Sequence, residues 1–240
     1  KNSLRDIEEG LKIQHKDWYH LGLKNVSRSQ LAYVNQRRSF EIFRHLYYHL
    51  FSKCAAMSHK HKFRFKNPLH ILDSSIITLC LSAFPWAKYS KTKGALKMHT
   101  LFDQRGAMPS FMVVTHGKAS DINVAKQYDL PLCPGNILVA DRAYVDFNWY
   151  NDLNAKGVFF VIRVKNNLKH KVLTQRMQIQ KKKTILDKKI LMSGVKTSAK
   201  YPHPLRLIQL QVEGEKPVLL ITNNFKFAAS TITQIYKARW

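Results

Sequence analysis

The chain has 240 residues and a formal net charge of +25, from 40 lysines and arginines against 15 aspartates and glutamates. Apolar residues make up 45% of it and aromatic residues 11%, which excludes a disordered chain and indicates one or two packed domains. The excess of positive charge indicates a phosphate-rich partner, and nucleic acid fits better than a membrane surface because basic residues occur along the whole chain.

The N-terminal quarter of the chain has helical patterns. Ser3 can cap a first helix, Ser27 or Ser29 can cap a second, and residues 40–51 predict a third. The third helix has apolar side chains on every face, so we expect it to be well packed. Helix, glycine-containing turn and short polar helix also match a helix-turn-helix, so a DNA-binding motif and an ordinary helical bundle both stay open.

The rest of the chain has an α/β pattern. Strands are predicted at 69–73, 97–103, 110–115, 137–141 and 158–164, and helices at 121–129 and 146–156. Three strands followed by helix, strand, helix and strand is the order of a ribonuclease H-like domain. We therefore predict a ribonuclease H-like mixed sheet flanked by helices at 67–240, after a helical segment at 1–66 and its basic linker.

A basic stretch at about 165–216 interrupts this domain. Between residues 165 and 200 lie eleven lysines or arginines and a single acid, Asp187. Short apolar runs alternate there with polar turns, which predicts a mostly β insertion with a basic face. The apolar run 218–222 predicts a strand that returns to the core, and 229–240 begins a final helix.

The three cysteines lie far apart and lack the spacing of zinc ligands, which fits a reduced, cytoplasmic setting. No apolar run reaches the roughly 18–20 residues that cross a bilayer, so no membrane partner is expected.

Two aspartates, Asp73 and Asp141, each follow a short apolar run. A carboxylate at the end of a buried strand is costly to desolvate unless it is paired or binds a metal. Two Mg²⁺ ions held by hard oxygen ligands can neutralise a phosphodiester and activate an oxygen nucleophile. These aspartates are therefore candidate metal ligands; the alternative is that each caps the next element or pairs with an arginine such as Arg142.

A third carboxylate for such a site is not evident. No glutamate occurs between residues 42 and 212, and Glu213 and Glu215 flank a glycine in a predicted turn of the insertion. A turn is a poor place from which to hold a metal ion in fixed geometry. The residues alone therefore predict two well-placed carboxylates.

Four segments occur in a fixed order: Asp73-Ser74-Ser75, residues 94–100, Asp141-Arg142-Ala143-Tyr144, and Tyr236 to Trp240. Together they resemble the insertion-sequence-four family of DDE transposases. The first and third segments are similar to that family's two aspartate motifs, the third being Asp-Arg-Gly/Ala-Tyr. The last is similar to the start of its signature Tyr-x-x-Arg-x-x-x-Glu-x-x-x-x-x-x-Lys.

This resemblance implies that Asp73 and Asp141 are the first and second catalytic aspartates and bind two Mg²⁺ or Mn²⁺ ions. It implies cut-and-paste cleavage of double-stranded DNA at transposon ends, and joining of the freed 3′-hydroxyl to target DNA. It also implies a bacterial, cytoplasmic, nucleoid-associated protein that forms a homodimer on DNA. The signature's glutamate would lie beyond Trp240, so we expect the 240-residue chain to be inactive alone.

Five residues are predicted to contact DNA: Arg142, Tyr236, Arg239, Lys97 and His99. Tyr236 and Arg239 lie one helical turn apart and share a face, although Tyr236 is equally well explained as a core aromatic. Lys97 and His99 alternate on a predicted strand and point either toward the aspartates or toward the surface.

Two other functions stay open at this stage. One is a non-catalytic DNA-binding fragment or a degenerate transposase copy that keeps the fold without the chemistry. The other is a basic RNA-binding protein in which the aspartates are structural.

Overall fold

The computed structural model describes residues 3–57, 63–81, 85–90, 92–106, 108–180 and 183–239. The chain divides into two compact units, Lys1–Lys53 and Cys54–Trp240. The predicted boundary after residue 66 lies further along the chain, and residues 58–62 of the predicted linker lie outside the described residues.

Local hydrogen bonds set the helix starts in the first unit. Its described residues contain α1 (Leu4–Ile13), a 3-10 turn (His15–Asp17), α2 (Arg28–Arg37) and most of α3 (Glu41–Met57). The Ser3 hydroxyl accepts the Asp6 N–H at 3.2 Å, and the Ser3 N–H donates to Asp6 Oδ2 at 2.6 Å. Ser27 and Gln30 make the same capping box at α2, which satisfies N–H groups that a helix start leaves unpaired.

The apolar side chains of α3 are largely exposed. Ile42, Phe43 and Leu46 have exposed fractions of 62%, 69% and 55%. The prediction that this helix is packed on all faces is therefore wrong for the described residues. Packing in the first unit centres instead on buried Trp18, whose Nε1–H donates to the Leu11 carbonyl oxygen at 2.8 Å. A role for these helices in DNA binding stays a prediction.

In the second unit, nine strands of the described residues form one mixed sheet. The strands are β1 (Leu69–Leu79), β2 (Gly94–Asp103), β3 (Met108–His116), β4 (Ile137–Ala140), β5 (Phe159–Val164), β6 (His170–Gln180), β7 (Lys183–Met192), β8 (Leu205–Val212) and β9 (Val218–Thr222). Their order across the sheet is β3-β2-β1-β4-β5-β9-β8-β7-β6.

Strand direction identifies the architecture. β1 is parallel to β4 and β4 is parallel to β5, whereas every other neighbouring pair is antiparallel. The first five strands thus make a three-stranded antiparallel meander that continues into two parallel strands. This is the ribonuclease H-like arrangement that the strand and helix order predicts.

Helices cover the sheet on both faces. The helices of the second unit are α4 (Asp121–Gln127), α5 (Phe147–Ala155), α6 (Val195–Lys200) and α7 (Ala229–Lys237). One core contains residues of α4 and α5, and the other contains Ile232 and Ile235 of α7. β4 is buried on both faces, which explains why its sequence is a continuous apolar run. Within the described part of the chain, no helix combines the length and apolarity needed to cross a bilayer.

The residues predicted as a β insertion form β6, β7, β8 and the short α6. They extend the same sheet, because β9 returns antiparallel beside β5 and β8 pairs with β9. Asp187, the single acid between residues 165 and 200, accepts two hydrogen bonds from Arg206, Nε to Oδ1 at 2.8 Å and Nη2 to Oδ2 at 2.7 Å. Arg206 also donates to the carbonyl oxygens of Asn224 and Phe227, just before α7.

The buried imidazole of His70 is expected to make stability depend on pH. Burial lowers the His70 pKa; Asp103, its cross-strand neighbour, and the Asn136 side chain oppose this shift, whereas Arg105 reinforces it. The folded state therefore takes up this proton at lower pH than the unfolded chain does, whose histidine pKa is about 6.5. Stability should fall as pH drops from about 6.5 through the lowered pKa of folded His70.

We expect His70→Gln to flatten the fall in the free energy of unfolding between about pH 6.5 and 5. Urea denaturation at a series of pH values measures that slope. His116→Gln, at an exposed position, is the control and should keep the slope. An unchanged slope in His70→Gln would show that another group is responsible.

Candidate active site

The strand register brings the two candidate aspartates together. In the parallel pair of β1 and β4, Ile71 is aligned with Val139. Continuing this register by two residues aligns Asp73 with Asp141, at the carboxyl end of β4. Neighbouring strands lie about 4.8 Å apart and alternate residues share a face. Both carboxylates therefore lie side by side on the face that α7 covers.

Backbone N–H groups orient one oxygen of each carboxylate. The Ser74 N–H donates to Asp73 Oδ1 at 2.9 Å, and the Ala143 N–H donates to Asp141 Oδ1 at 2.8 Å. The second bond caps a 3-10 turn, Arg142–Tyr144, that follows β4. The capping function left open by the sequence is thus present at Asp141. The second oxygen, Oδ2, of each carboxylate takes no part in these two backbone hydrogen bonds.

Arg239 is the cation that the structure places beside Asp141. Its Nη1 lies 3.9 Å from Asp141 Oδ2, and its side chain is 5% exposed while that of Asp141 is 32% exposed. The pair is therefore formed from the end of α7 and not by the sequence neighbour Arg142, which is exposed. The Gln104 Nε2–H donates to the Ala238 carbonyl oxygen at 2.9 Å, which ties the end of α7 to the turn between β2 and β3.

Tyr236 lies in the core between α7 and the sheet. Its ring is 7% exposed, and the Arg239 guanidinium carbon lies 5.6 Å from the ring centroid. The structure thus favours the alternative that Tyr236 is a core aromatic residue. Its ring also packs against the Arg239 guanidinium. Direct contact of Tyr236 with DNA stays a prediction.

Lys97 and His99 lie on the other face of the sheet. In the antiparallel pair of β1 and β2, Asp73 is aligned with Thr100, so His99 points away from Asp73. Both side chains instead meet Asp121 in the first turn of α4, with Lys97 Nζ and His99 Nδ1 each 3.4 Å from its Oδ1. Of the two placements left open, the one beside the aspartates is thus not found, and contact of this pair with DNA stays a prediction.

Tyr144 is a site residue that the sequence reasoning did not single out. It is 1% exposed, and its pKa is raised first by burial and then by the carboxylates of Asp121, Asp73 and Asp141. The phenol therefore stays neutral at physiological pH, at a position influenced by carboxylates from three elements. Its place as the last residue of the Asp-Arg-Ala-Tyr segment was the available signal.

The aspartate pair is chemically suited to a hard divalent cation. Carboxylate oxygens are the preferred ligands of Mg²⁺, and two adjacent negative charges repel each other unless a cation lies between them. Among the described residues, no group of three histidine, cysteine, aspartate or glutamate side chains is close enough to hold a metal together. Asp73 and Asp141 are candidate ligands as a pair, because the register of β1 and β4 brings them together.

Comparison with known proteins gives one family and several similar proteins. Residues 64–240 match the family described as the transposase DDE domain. The chain is 24% identical over 228 residues to the "Probable transposase for insertion sequence element IS5377" of Geobacillus stearothermophilus, covering 91% of this chain and 57% of the relative. It is 27% identical over 175 residues to the "Putative transposase y4zB" of Sinorhizobium fredii, covering 72% and 48%.

The chain thus spans about half the length of these curated relatives. Among solved structures, it is similar to a chain of the cryo-EM structure of the piggyBac transposase synaptic complex with hairpin DNA. That match has 10% sequence identity and a TM-score of 0.40, and it covers 71% of this chain and 37% of the other.

Proposed function

Because this chain belongs to the transposase DDE domain family, we propose that it carries the catalytic centre of a DNA transposase of the cut-and-paste type. One observation supports the proposal: Ile71 and Val139 are paired on neighbouring parallel strands, and Asp73 and Asp141 each lie two residues further along. The names of both curated relatives, each called a transposase, support the same reading.

In this proposal Asp73 and Asp141 hold Mg²⁺ or Mn²⁺. When bound, two such ions neutralise charge on the phosphodiester and lower the pKa of the attacking oxygen nucleophile. The chain's own residues prepare the place: backbone N–H groups fix the carboxylates, and Arg239 holds a positive charge beside Asp141. Contact of this guanidinium with a DNA phosphate is part of the proposal and requires its side chain, 5% exposed here, to become accessible when DNA binds.

The proposed substrates are double-stranded transposon ends and target DNA. A net charge of +25 favours binding to the phosphate backbone with strong dependence on salt. The reaction would free a 3′-hydroxyl at the transposon end and join it to the target. Handling two ends at once favours a homodimer on DNA, in a bacterial cytoplasm where the protein meets the nucleoid.

The test is cleavage of transposon-end DNA by the protein at its natural length. We expect Mn²⁺-dependent nicking that leaves a 3′-hydroxyl, visible as a shortened strand on a denaturing gel and abolished by EDTA. The matched control is a DNA of the same length and composition with a scrambled end, which should bind but stay intact. A protein that binds the transposon end and never cleaves it would overturn the catalytic proposal in favour of the non-catalytic alternative.

A further inference from the structure

A regular line of side chains runs along α3. Its members follow one another at alternating intervals of three and four positions: Phe40, Phe43, Tyr47, Leu50, Cys54 and Met57. We call this set the α3 stripe. Phe40 precedes the helix but joins its first turn, because its carbonyl oxygen accepts the Arg44 N–H at 3.0 Å. Intervals of three and four place side chains along one side of a helix, which is the pattern of a coiled-coil seam.

Every member of the α3 stripe reaches the surface. The exposed fractions are 68% for Phe40, 69% for Phe43, 37% for Tyr47, 50% for Leu50 and 81% for Met57, and Cys54 is exposed as well. Contact of large apolar side chains with water is unfavourable, and contiguous apolar patches mark surfaces that bind another molecule. The α3 stripe is therefore a candidate interaction surface.

The area of the α3 stripe is large enough for a second copy of the same helix to bind. Since a large side chain can bury about 150–250 Å², the exposed fractions amount to at most roughly 600 Å² on one copy and roughly 1,200 Å² on a pair. A specific interface should bury about 1,000 Å² or more in total. A seam that only just reaches this size predicts a dimer that forms and dissociates with protein concentration.

The sizes of the side chains favour an antiparallel pair. In that arrangement each layer combines an aromatic ring with a smaller side chain of the second copy: Tyr47 with Leu50, Phe43 with Cys54, and Phe40 with Met57. In a parallel pair, aromatic rings would meet aromatic rings at one end of the helix and small side chains would meet at the other. Large-against-small layers fill the space evenly, sulfur–aromatic contacts are favourable, and antiparallel helix dipoles attract each other.

The charged residues of α3 permit this pairing. Glu41, Arg44 and Lys53 all lie outside the α3 stripe, and Arg44 Nη2 is 2.6 Å from Glu41 Oε2 on the same helix. In the antiparallel register, Arg44 lies beside Phe51 of the second copy and Lys53 lies beside its Leu46. Like charges therefore do not face each other across the seam.

We infer that the α3 stripe binds the α3 stripe of a second copy of this chain, as a short antiparallel coiled coil. The proposed function brings two copies together on DNA, whereas this pairing involves protein alone and is independent of Asp73 and Asp141. Each copy carries a net charge of +25, so the two copies repel each other at low salt. Added salt screens this repulsion and should strengthen the pairing, whereas salt weakens binding to DNA.

Sedimentation velocity on the whole chain without DNA tests the inference. Phe43→Glu changes the α3 stripe, and Ile42→Glu is the matched control, because Ile42 is 62% exposed and lies on another side of the same helix. We expect the unchanged chain and the control to dimerise as protein concentration rises, more strongly at high salt. Phe43→Glu should weaken dimerisation at least about tenfold. A chain that stays monomeric, or equal losses in both variants, would overturn the inference.

Cysteine cross-linking tests the orientation. With Cys80 and Cys133 replaced by serine, Cys54 is the remaining cysteine of the sequence. In the antiparallel register the two Cys54 residues of a dimer lie about 16 Å apart along the helix axis, too far for a disulfide. Adding Phe43→Cys places a new thiol opposite Cys54 of the second copy, so oxidation should now give a linked dimer on a non-reducing gel.

Two outcomes of the cross-linking decide between the arrangements. Loss of the linked dimer when Cys54→Ser is combined with Phe43→Cys supports the antiparallel seam. A disulfide that forms through Cys54 alone would show a parallel pair and contradict the inferred register. Neither experiment involves DNA cleavage, so failure of the cleavage test and failure of this inference are separate results.

Discussion

In the protein at its natural length, replacing Asp73 or Asp141 by asparagine is expected to lower the rate of Mn²⁺-dependent cleavage of transposon-end DNA on the order of 1,000-fold or more. Asparagine keeps the size of the side chain and a carbonyl oxygen that can accept the same backbone N–H. What it removes is the negative charge that a divalent cation requires. For Asp73→Asn the free energy of unfolding should change little, because removing one of two neighbouring negative charges also removes their repulsion.

The matched control is Asp129→Asn, an aspartate whose side chain is 88% exposed and paired only with Lys156 among the described residues. It changes the net charge by the same amount and should retain full cleavage. Titration calorimetry with Mn²⁺ on the DNA-free protein gives a second readout, in which the site variants lose binding and the control keeps it. Unimpaired cleavage by Asp73→Asn or Asp141→Asn would refute the catalytic assignment.

Removing the guanidinium of Arg206 is expected to destabilise the second unit by about 3–5 kcal/mol. The side chains of Arg206 and Asp187 are 10% and 18% exposed, so Arg206→Met leaves a largely buried carboxylate without the guanidinium that pairs with it. It also strips donors from the carbonyl oxygens of Asn224 and Phe227. Urea denaturation followed by circular dichroism measures the change.

Two further variants separate the buried pair from general charge effects. Arg176 is aligned with the same Asp187 from the edge strand β6 but is exposed, so Arg176→Met should change the free energy of unfolding by less than about 0.5 kcal/mol. The double variant Arg206→Met with Asp187→Leu should recover part of the loss, because no uncompensated charge remains. A double variant no more stable than Arg206→Met alone would contradict this explanation.

In the second unit, the local sequence predicts which helices and strands form better than it predicts how long they are. The helix predicted at 121–129 and the strand predicted at 137–141 lie within two residues of α4 and β4. β1 was predicted to end at residue 73 but continues to Leu79. Its second half begins with two serines and is largely exposed, and its pairing with β2 sets its length. Strand pairing over such a distance leaves no local signal.

The candidate site likewise has some features that the sequence predicts and others that depend on the packing of distant elements. Asp73 and Asp141 were recognisable because a carboxylate directly after an apolar run is physically unusual. The sequence could not predict which face of the sheet Lys97 and His99 occupy. Alternation along a strand defines two faces without showing which of them carries the aspartates. The partnership of Asp187 with Arg206 depends on β7 lying beside β8, and the place of Arg239 depends on how α7 crosses the sheet.

The nine described strands form one continuous sheet, which fixes the distance between Asp141 and the edge strand β6. Five strand spacings separate β4, which Asp141 directly follows, from β6 at the sheet edge, where Lys171 and Arg176 are exposed. At about 4.8 Å per spacing this is about 24 Å, the rise of about seven base pairs of DNA. Because every intervening strand is hydrogen-bonded to its neighbours, that distance cannot stretch or fold as a tethered domain would. DNA that contacted both Asp141 and the exposed cations of β6 would therefore do so at positions about seven base pairs apart.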